Sequence, residues 1–102
     1  MIRLWLDDIR KMPKGFNLHA LQANVAIDAI KTNKVRKISF DHDLGEDLTG
    51  YDVAKFIEEG AYNGTVKKME WQIHSANPVG RQNIEQAMWN AEKYWQGKEL
   101  RQ

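Results

Sequence analysis

Two acidic segments of this chain contain residue types that bind metal ions or move protons, and each follows an apolar run. They are Asp7-Asp8 and Asp41-His42-Asp43. The runs predict strands, and strand ends of α/β proteins carry ligand sites. Clustered carboxylates repel one another unless their pKa values rise or a cation binds. The segments therefore predict a Mg²⁺ or Mn²⁺ site with Asp7, Asp8, Asp41 and Asp43 as ligands. The simpler alternative is acids that decorate a loop or cap a helix.

Histidines lie at two of the predicted strand ends. His42 and His74 carry the side chain most used for proton transfer near neutral pH, and we predict a catalytic role for both. Asp41 is the third predicted catalytic residue, because an aspartate beside a metal either ligates it or attacks phosphorus directly. His19 lacks this context, so we expect it to be structural or on the surface.

A third feature is the predicted strand-to-helix junction at Ser75-Ala76-Asn77-Pro78. The Ser75 hydroxyl, the free amides of a helix start and Arg81 one turn later form a pattern that can hold a phosphate. Asn77 is the predicted N-cap, and Pro78 suits the first helical position. The alternative is an ordinary helix cap beside a solvated arginine.

Periodicity and turn residues predict alternating strands and helices. The predicted strands cover 2–6, 16–21, 35–40 and 66–73. One helix begins at Asn24 as N-cap and stops at Thr32-Asn33, a second opens with a Thr49/Asp52 capping box and ends at Asn63-Gly64, and the last ends at Gly97. Right-handed crossovers then give a small α/β fold, an open parallel sheet of about four strands with helices on its faces in three layers.

Composition narrows the class of protein without selecting a function. A length of 102 residues fits a single domain over 1–102, and the absence of cysteine leaves only oxygen or imidazole ligands for a metal. A net charge of +1 provides no long-range attraction to nucleic acid or membrane. The sequence has no signal-peptide pattern and no apolar run long enough for a bilayer, so we expect a cytoplasmic protein without a membrane partner.

The motifs resemble those of receiver domains, which place an acidic pair after the first strand, an Asp after the third and Ser/Thr-Ala after the fourth. Within that fold they are most similar to the cyclic-phosphate processing receiver domains of bacteria and phages. The motifs that carry this resemblance are Leu4-Trp5-Leu6-Asp7-Asp8-Ile9-Arg10, Ser39-Phe40-Asp41-His42-Asp43-Leu44-Gly45, Thr49-Gly50-Tyr51-Asp52 and His74-Ser75-Ala76-Asn77-Pro78-Val79-Gly80-Arg81-Gln82-Asn83.

The resemblance implies a truncated, flavodoxin-like receiver topology. It also implies a retained metal site that serves cyclic phosphate hydrolysis and is surrounded by His42, His74, Ser75 and Arg81. Asn77 and Asn83 of the last motif would be further substrate-binding residues. Two receiver features have no counterpart here: residues 9–15 are too few for a helix between the first two strands, and no fifth strand with a lysine follows. We therefore do not expect phosphorelay by a histidine kinase.

The leading hypothesis is a divalent-metal-dependent phosphoesterase that acts on a cyclic nucleotide or on RNA with a cyclic phosphate end. A non-catalytic module that binds a cyclic nucleotide or a protein partner is the main alternative, and a phospho-accepting receiver is a third. A haloacid-dehalogenase-type phosphatase would carry its acidic motifs in the opposite order. With few strands, an exposed sheet edge would also favour a homodimer.

Overall fold

The fold is a four-stranded parallel sheet with three helices. The structure, a computed structural model, describes residues 1–100, with side chains through residue 98. In chain order the elements are β1 (Ile2–Leu6), β2 (Leu18–Ala20), α1 (Ala23–Lys31), β3 (Val35–Phe40), α2 (Gly50–Asn63), β4 (Glu70–Ile73) and α3 (Pro78–Leu100). All neighbouring strands are parallel, in the order β2-β1-β3-β4. The predicted receiver-like α/β class is confirmed.

The helices cover one face of the sheet, so there are two layers and not the expected three. Leu4, Ile38 and Trp71 lie in register across β1, β3 and β4. The Trp71 indole donates to Glu92 of α3 (2.9 Å), which places α3 on this face. Buried residues of all three helices join the cluster that contains Leu4 and Ile38. The opposite face carries Trp5, which lies outside that cluster and packs against Phe16 and His74, both in loops.

Local signals placed the starts of two helices correctly. Thr49 and Asp52 form the predicted capping box at the start of α2, and Gly64 ends that helix with φ +81°. Asn77 caps α3 through its Oδ1, which accepts the Gly80 amide (3.0 Å), and Pro78 is the first helical residue. These caps depend on residues only a few positions apart, so the sequence contains the whole interaction.

Two strands are shorter than predicted. The strand expected over 16–21 is only Leu18–Ala20, and the strand expected over 66–73 is only Glu70–Ile73. Val66 donates its amide to the Gly60 carbonyl at the end of α2, and Lys67 donates to the Asn33 side chain. Since these amides bind outside the sheet, the segment before Glu70 does not pair as a strand.

Two predicted helix boundaries were wrong because distant contacts decide them. Asn24 is not the N-cap of α1; the N-cap is Gln22, and Glu46 from a later loop accepts the Ala23 amide (2.9 Å). Gly97 does not end α3, which continues to Leu100. The Trp95 indole donates to the Val66 carbonyl in the loop after α2 (2.9 Å), and Lys98, past Gly97, donates to the Tyr62 carbonyl in the last turn of α2 (2.9 Å).

No helix within residues 1–100 is long and apolar enough to cross a bilayer.

Candidate functional site

The residues that follow β1, β3 and β4 are joined by backbone hydrogen bonds that continue the sheet. The Asp7 amide donates to Ala20, the Asp41 amide to Leu6 (2.9 Å), and the His74 amide to Phe40 (2.9 Å). Because the strands are parallel, these bonds bring Asp7, Asp41 and His74 to one edge of the sheet.

Three carboxylates meet at this edge. Asp7, Asp8 and Asp41 each offer an oxygen, and these oxygens all lie within 4.8 Å of one another. We call these three residues the carboxylate cluster. Burial and the charge of Asp7 raise the pKa of Asp41. Such repulsion at close range is what a divalent cation would relieve, and oxygen is the ligand that Mg²⁺ and Mn²⁺ prefer, so the donor set fits such an ion.

Two glycines leave room for the cluster. Gly50, the first residue of α2, donates its amide to His42 O (2.8 Å), and a Cβ on Gly50 would meet the Asp41 carbonyl. Gly45 has φ +66°, and a Cβ there would lie 2.9 Å from Asp8 Oδ2. Glycine at these positions therefore lets the loop after β3 pass close to the Asp41 backbone and to the Asp8 carboxylate.

Asp7 is almost fully buried, with 1% of its surface exposed, and is held at both oxygens. Oδ1 accepts the amides of Ile9 (2.8 Å) and Arg10 (2.7 Å), and Oδ2 accepts His74 Nε2 (2.9 Å). Burial acts to raise the pKa of Asp7, but these amides and the His74 ring outweigh it and hold the pKa below its ordinary value. Asp7 is therefore ionised at neutral pH. His19 Nε2 donates to the Asp7 carbonyl (2.8 Å), a structural contact.

His74 is positioned on all sides by the protein. Its Nε2 faces Asp7, its Nδ1 contacts Ser39 Oγ (2.7 Å), and its ring stacks on Trp5 at 3.8 Å between centroids. Burial is the main cause that lowers the pKa of His74, so the ring is neutral at pH 7. Both nitrogens are engaged inside the protein, and these contacts favour a structural role over the proton transfer that we expected.

His42 and Asp43 form a second pair beside the cluster. His42 Nδ1 lies 2.9 Å from Asp43 Oδ1, and the Asn77 amide nitrogen lies 3.3 Å from Asp43 Oδ2. These two hydrogen bonds lower the pKa of Asp43. We expected Asp43 to share the metal site, but among the described residues the cluster contains only Asp7, Asp8 and Asp41. The chain turns after Phe40, so Asp43 does not continue the strand alternation that would have aligned it with Asp41.

The predicted anion-binding residues differ in how many of their polar groups are already hydrogen-bonded within the protein. Ser75 is buried and its Oγ accepts the Asn77 amide (3.1 Å), which leaves the hydroxyl proton available. Arg81 donates to the Ile73 carbonyl (3.0 Å) and lies 3.6 Å from Glu85, so its charge is partly used. Asn77 serves as the helix cap. Asn83 is exposed, and no hydrogen bond within the described side chains joins it to the site.

The structure also brings in two residues that we did not predict for the site. Arg10 donates to the His74 carbonyl (2.6 Å), and its charge acts to lower the pKa of Asp41. Its spacing from Asp7 was the available signal, because a side-chain oxygen of Asp7 binds the Arg10 amide and turns the chain back over the site. Ser39 is the first residue of one of the motifs that carry the resemblance, but it lies inside a predicted strand and reaches His74 only through tertiary pairing.

Comparison with known families identifies one family model that matches this chain. The family model described as "Cyclic-phosphate processing Receiver domain" matches residues 2–90 of the chain. The match covers β1 through most of α3 and includes every residue of the site. Neither the curated proteins nor the solved structures include a significant match.

Proposed function

The chain belongs to the cyclic-phosphate processing receiver domains, and from that premise we propose that it is a divalent-metal-dependent phosphoesterase. Its substrate would be a cyclic nucleotide or an RNA with a cyclic phosphate end. The observation that carries the proposal is the carboxylate cluster of Asp7, Asp8 and Asp41 beside the His42–Asp43 pair. Metal ions and an oriented histidine both accelerate the hydrolysis of phosphodiesters, the first by neutralising charge and the second by proton transfer.

Asp7, Asp8 and Asp41 would hold Mg²⁺ or Mn²⁺. When bound, the ion would neutralise charge on the phosphoryl oxygens and lower the pKa of a water molecule. Asp7 Oδ1 already accepts two amides, so both of its lone pairs are in use, whereas Oδ2 accepts only His74 and keeps one. Oδ2 is therefore the Asp7 oxygen that is free to ligate. In this proposal Asp41 is a metal ligand. In a variant of the mechanism Asp41 attacks phosphorus directly, and labelling of Asp41 by small phosphodonors tests that variant.

His42 would transfer the proton. An ionised Asp43 can only accept a hydrogen bond, so the proton between them belongs to His42 Nδ1 and Nε2 keeps its lone pair. This is the arrangement of a general base oriented by a carboxylate. Asn77 supports it, because Oδ1 is fixed by the helix cap and the amide nitrogen therefore faces Asp43. The His42 side chain is 16% exposed, which leaves its edge accessible to a substrate.

The substrate phosphate would be oriented by positive charge and by hydroxyl donors near the same edge. Arg10 is the cation whose charge reaches Asp41, and only one guanidinium nitrogen is committed to the His74 carbonyl. Ser75 offers its hydroxyl proton at the start of α3. Arg81, which donates to the Ile73 carbonyl, would add a second positive charge. The phosphate would thus lie between the cluster and the start of α3.

The test is product analysis by liquid chromatography. The protein is incubated with 2′,3′-cyclic nucleotides, 3′,5′-cyclic nucleotides, cyclic dinucleotides and an RNA that ends in a 2′,3′-cyclic phosphate, with Mg²⁺, Mn²⁺ or chelator. We expect opening of one class only in the presence of metal, and loss of opening in Asp41→Asn. Turnover that persists in chelator would contradict metal dependence. Binding without turnover that survives chelation would instead identify a binding module, and stable labelling of Asp41 by small phosphodonors would identify a phospho-acceptor.

A further inference from the structure

The face of the sheet that carries no helix contains a line of polar side chains that leads to the cluster. Trp5, Ser39 and Gln72 lie in register across β1, β3 and β4. Gln72 Nε2 lies 3.2 Å from Ser39 Oγ, Ser39 Oγ lies 2.7 Å from His74 Nδ1, and His74 Nε2 lies 2.9 Å from Asp7 Oδ2. The four side chains from Gln72 to Asp7 form one continuous hydrogen-bonded chain, which we call the relay.

The direction of every hydrogen bond in the relay follows from its two ends. Asp7 is ionised, since its Oδ1 accepts two amides, and a carboxylate can only accept, so His74 Nε2 must carry the proton. The buried Ser39 hydroxyl accepts from Gln72, so its own proton needs an acceptor, and the lone pair on His74 Nδ1 is within reach at 2.7 Å. The Ser39 oxygen in turn accepts from the Gln72 amide, which is a donor. No group in the relay has a conflicting role.

We propose that Ser39, supported by Gln72, is a positioning residue that holds the His74 ring in place through Nδ1 and thereby fixes the direction in which Nε2–H meets Asp7 Oδ2. Oδ2 is the Asp7 oxygen that keeps a free lone pair. The His74 Nε2–H occupies the other lone pair of Oδ2, so the position of the ring decides which one stays free for a metal ion. A carboxylate–histidine contact of this kind commonly sets the orientation of a metal ligand. The positioning of Asp7 stands on the relay alone, and only its consequence for metal affinity rests on the proposed function.

A hydrolytic Ser-His-Asp triad is the other reading of these three residues, and burial excludes it. Ser39 has 0% of its surface exposed, and its oxygen lies between the Gln72 amide and the ring. A nucleophilic serine must reach the substrate. The Trp5 ring, stacked at 5° to His74, further closes the face of the imidazole. Ser39 therefore acts through His74 and contacts no substrate.

The experiment is Ser39→Ala in metal-free protein, read by ¹⁵N NMR of the His74 ring. We expect the Nε2–H tautomer in both proteins, because Asp7 accepts that proton, and a shift of the Nδ1 resonance in Ser39→Ala, because Nδ1 has lost its donor. The amide resonances of Ile9 and Arg10 report the Asp7 carboxylate directly, and they should shift in Ser39→Ala. Mn²⁺ affinity should fall about tenfold. Ser39→Thr, which restores the hydroxyl, should restore all three readouts.

Thr32→Ala is the matched control. It removes a hydroxyl that binds the Ala29 carbonyl at the end of α1, away from the relay, and should change none of the readouts. If Ser39→Ala does not fold, Gln72→Leu at an exposed position tests the same relay and should give a smaller change in the same direction. An unchanged Nδ1 resonance, or unchanged Ile9 and Arg10 amides, in a folded variant would overturn the proposal. A wild type that binds no Mn²⁺ would contradict the metal site, while the Nδ1 and amide readouts would still decide the relay.

Discussion

At the scale of single residues, the two histidines of the site differ in their surroundings and therefore in the roles that suit them. His74 is enclosed by Asp7, Ser39 and Trp5, whereas His42 is fixed at one nitrogen by Asp43. The difference matters because a proton-transfer group needs a nitrogen within reach of the substrate. A side chain whose two nitrogens are both hydrogen-bonded to the protein is better suited to holding its neighbours in place.

Replacement of Asp43 tests the His42–Asp43 pair. Asp43→Ala should lower kcat by about tenfold to hundredfold, because His42 loses the acceptor that selects its tautomer. The Asp43 side chain is 68% exposed, so the free energy of unfolding should change by less than about 0.5 kcal/mol. The measurement is steady-state turnover of the cyclic phosphate that the panel identifies.

Asp47→Ala is the control for this change, since it removes an exposed acid from the same loop. If both variants lose turnover equally, the loss reflects the removal of a negative charge from the loop and not the disruption of the His42–Asp43 pair.

At the scale of elements, helix α3 supports the site through its first turn. Its cap residue Asn77 contacts Asp43, and Gly80 lies against the His42 ring, because a Cβ on Gly80 would overlap that ring. The helix therefore restrains the histidine on one side while the loop after β3 restrains it on the other. A change in α3 that removes no polar group should still disturb the chemistry.

Two glycines of α3 make a matched pair for this prediction. Gly80→Ala should displace His42 and lower kcat by about tenfold or more, since small displacements of a catalytic group cost much of its rate. Gly97→Ala meets nothing within 4 Å and lies inside the helix, so it should leave kcat unchanged and stabilise the fold by roughly 0.5–1 kcal/mol. Turnover and urea unfolding of both variants provide the measurement, and equal turnover in the two would show that Gly80 does not restrain His42.

At the scale of the whole molecule, the cluster links distant parts of the chain to one another. Asp7 and Asp8 follow β1, Asp41 follows β3, and His74 follows β4, so a bound ion would connect segments that pair only in the folded state. Ligands that bind only the folded state stabilise it by mass action. Metal binding should therefore be visible as a gain in stability, independently of catalysis.

Thermal unfolding with added metal measures this linkage. At 100 times its Kd, Mn²⁺ should stabilise the wild type by about 2.7 kcal/mol, and chelator should reverse the gain. Asp41→Asn should lose most of this gain. Without metal, Asp41→Asn should be at least as stable as the wild type, because burial and Asp7 disfavour the charged form of Asp41. An equal metal-dependent shift in both proteins would show that Asp41 is not a ligand.

The pH dependence of stability in chelator tests the environment of His74. The pKa of His74 is lowered from 6.5 in the folded state, so the unfolded chain takes up this proton more readily. Its contribution to stability is complete above about pH 6.5 and is lost as the pH falls, with a slope of up to about 1.4 kcal/mol per pH unit. Urea unfolding of the wild type and His74→Gln should show this part of the slope only in the wild type. Identical slopes would mean that His74 is not a buried neutral ring.

The sequence alone determined those features that depend on neighbouring residues. The strand ends that carry Asp7, Asp8 and Asp41, the Thr49 capping box and the Asn77 cap all arise from periodicity and short spacing. Boundaries that depend on distant partners were mispredicted: Glu46 supplies the acceptor at the start of α1, and Lys98 binds the end of α2 beyond Gly97.

Only the tertiary structure decided how the site is arranged. It separated Asp43 from the cluster, engaged both nitrogens of His74 and brought in Arg10 and Ser39. It also placed all three helices on one face of the sheet, which left the other face for Ser39 and Gln72. The physical reason is that these contacts join residues far apart in the chain, and their partners are set by strand order and register, which local propensity does not encode.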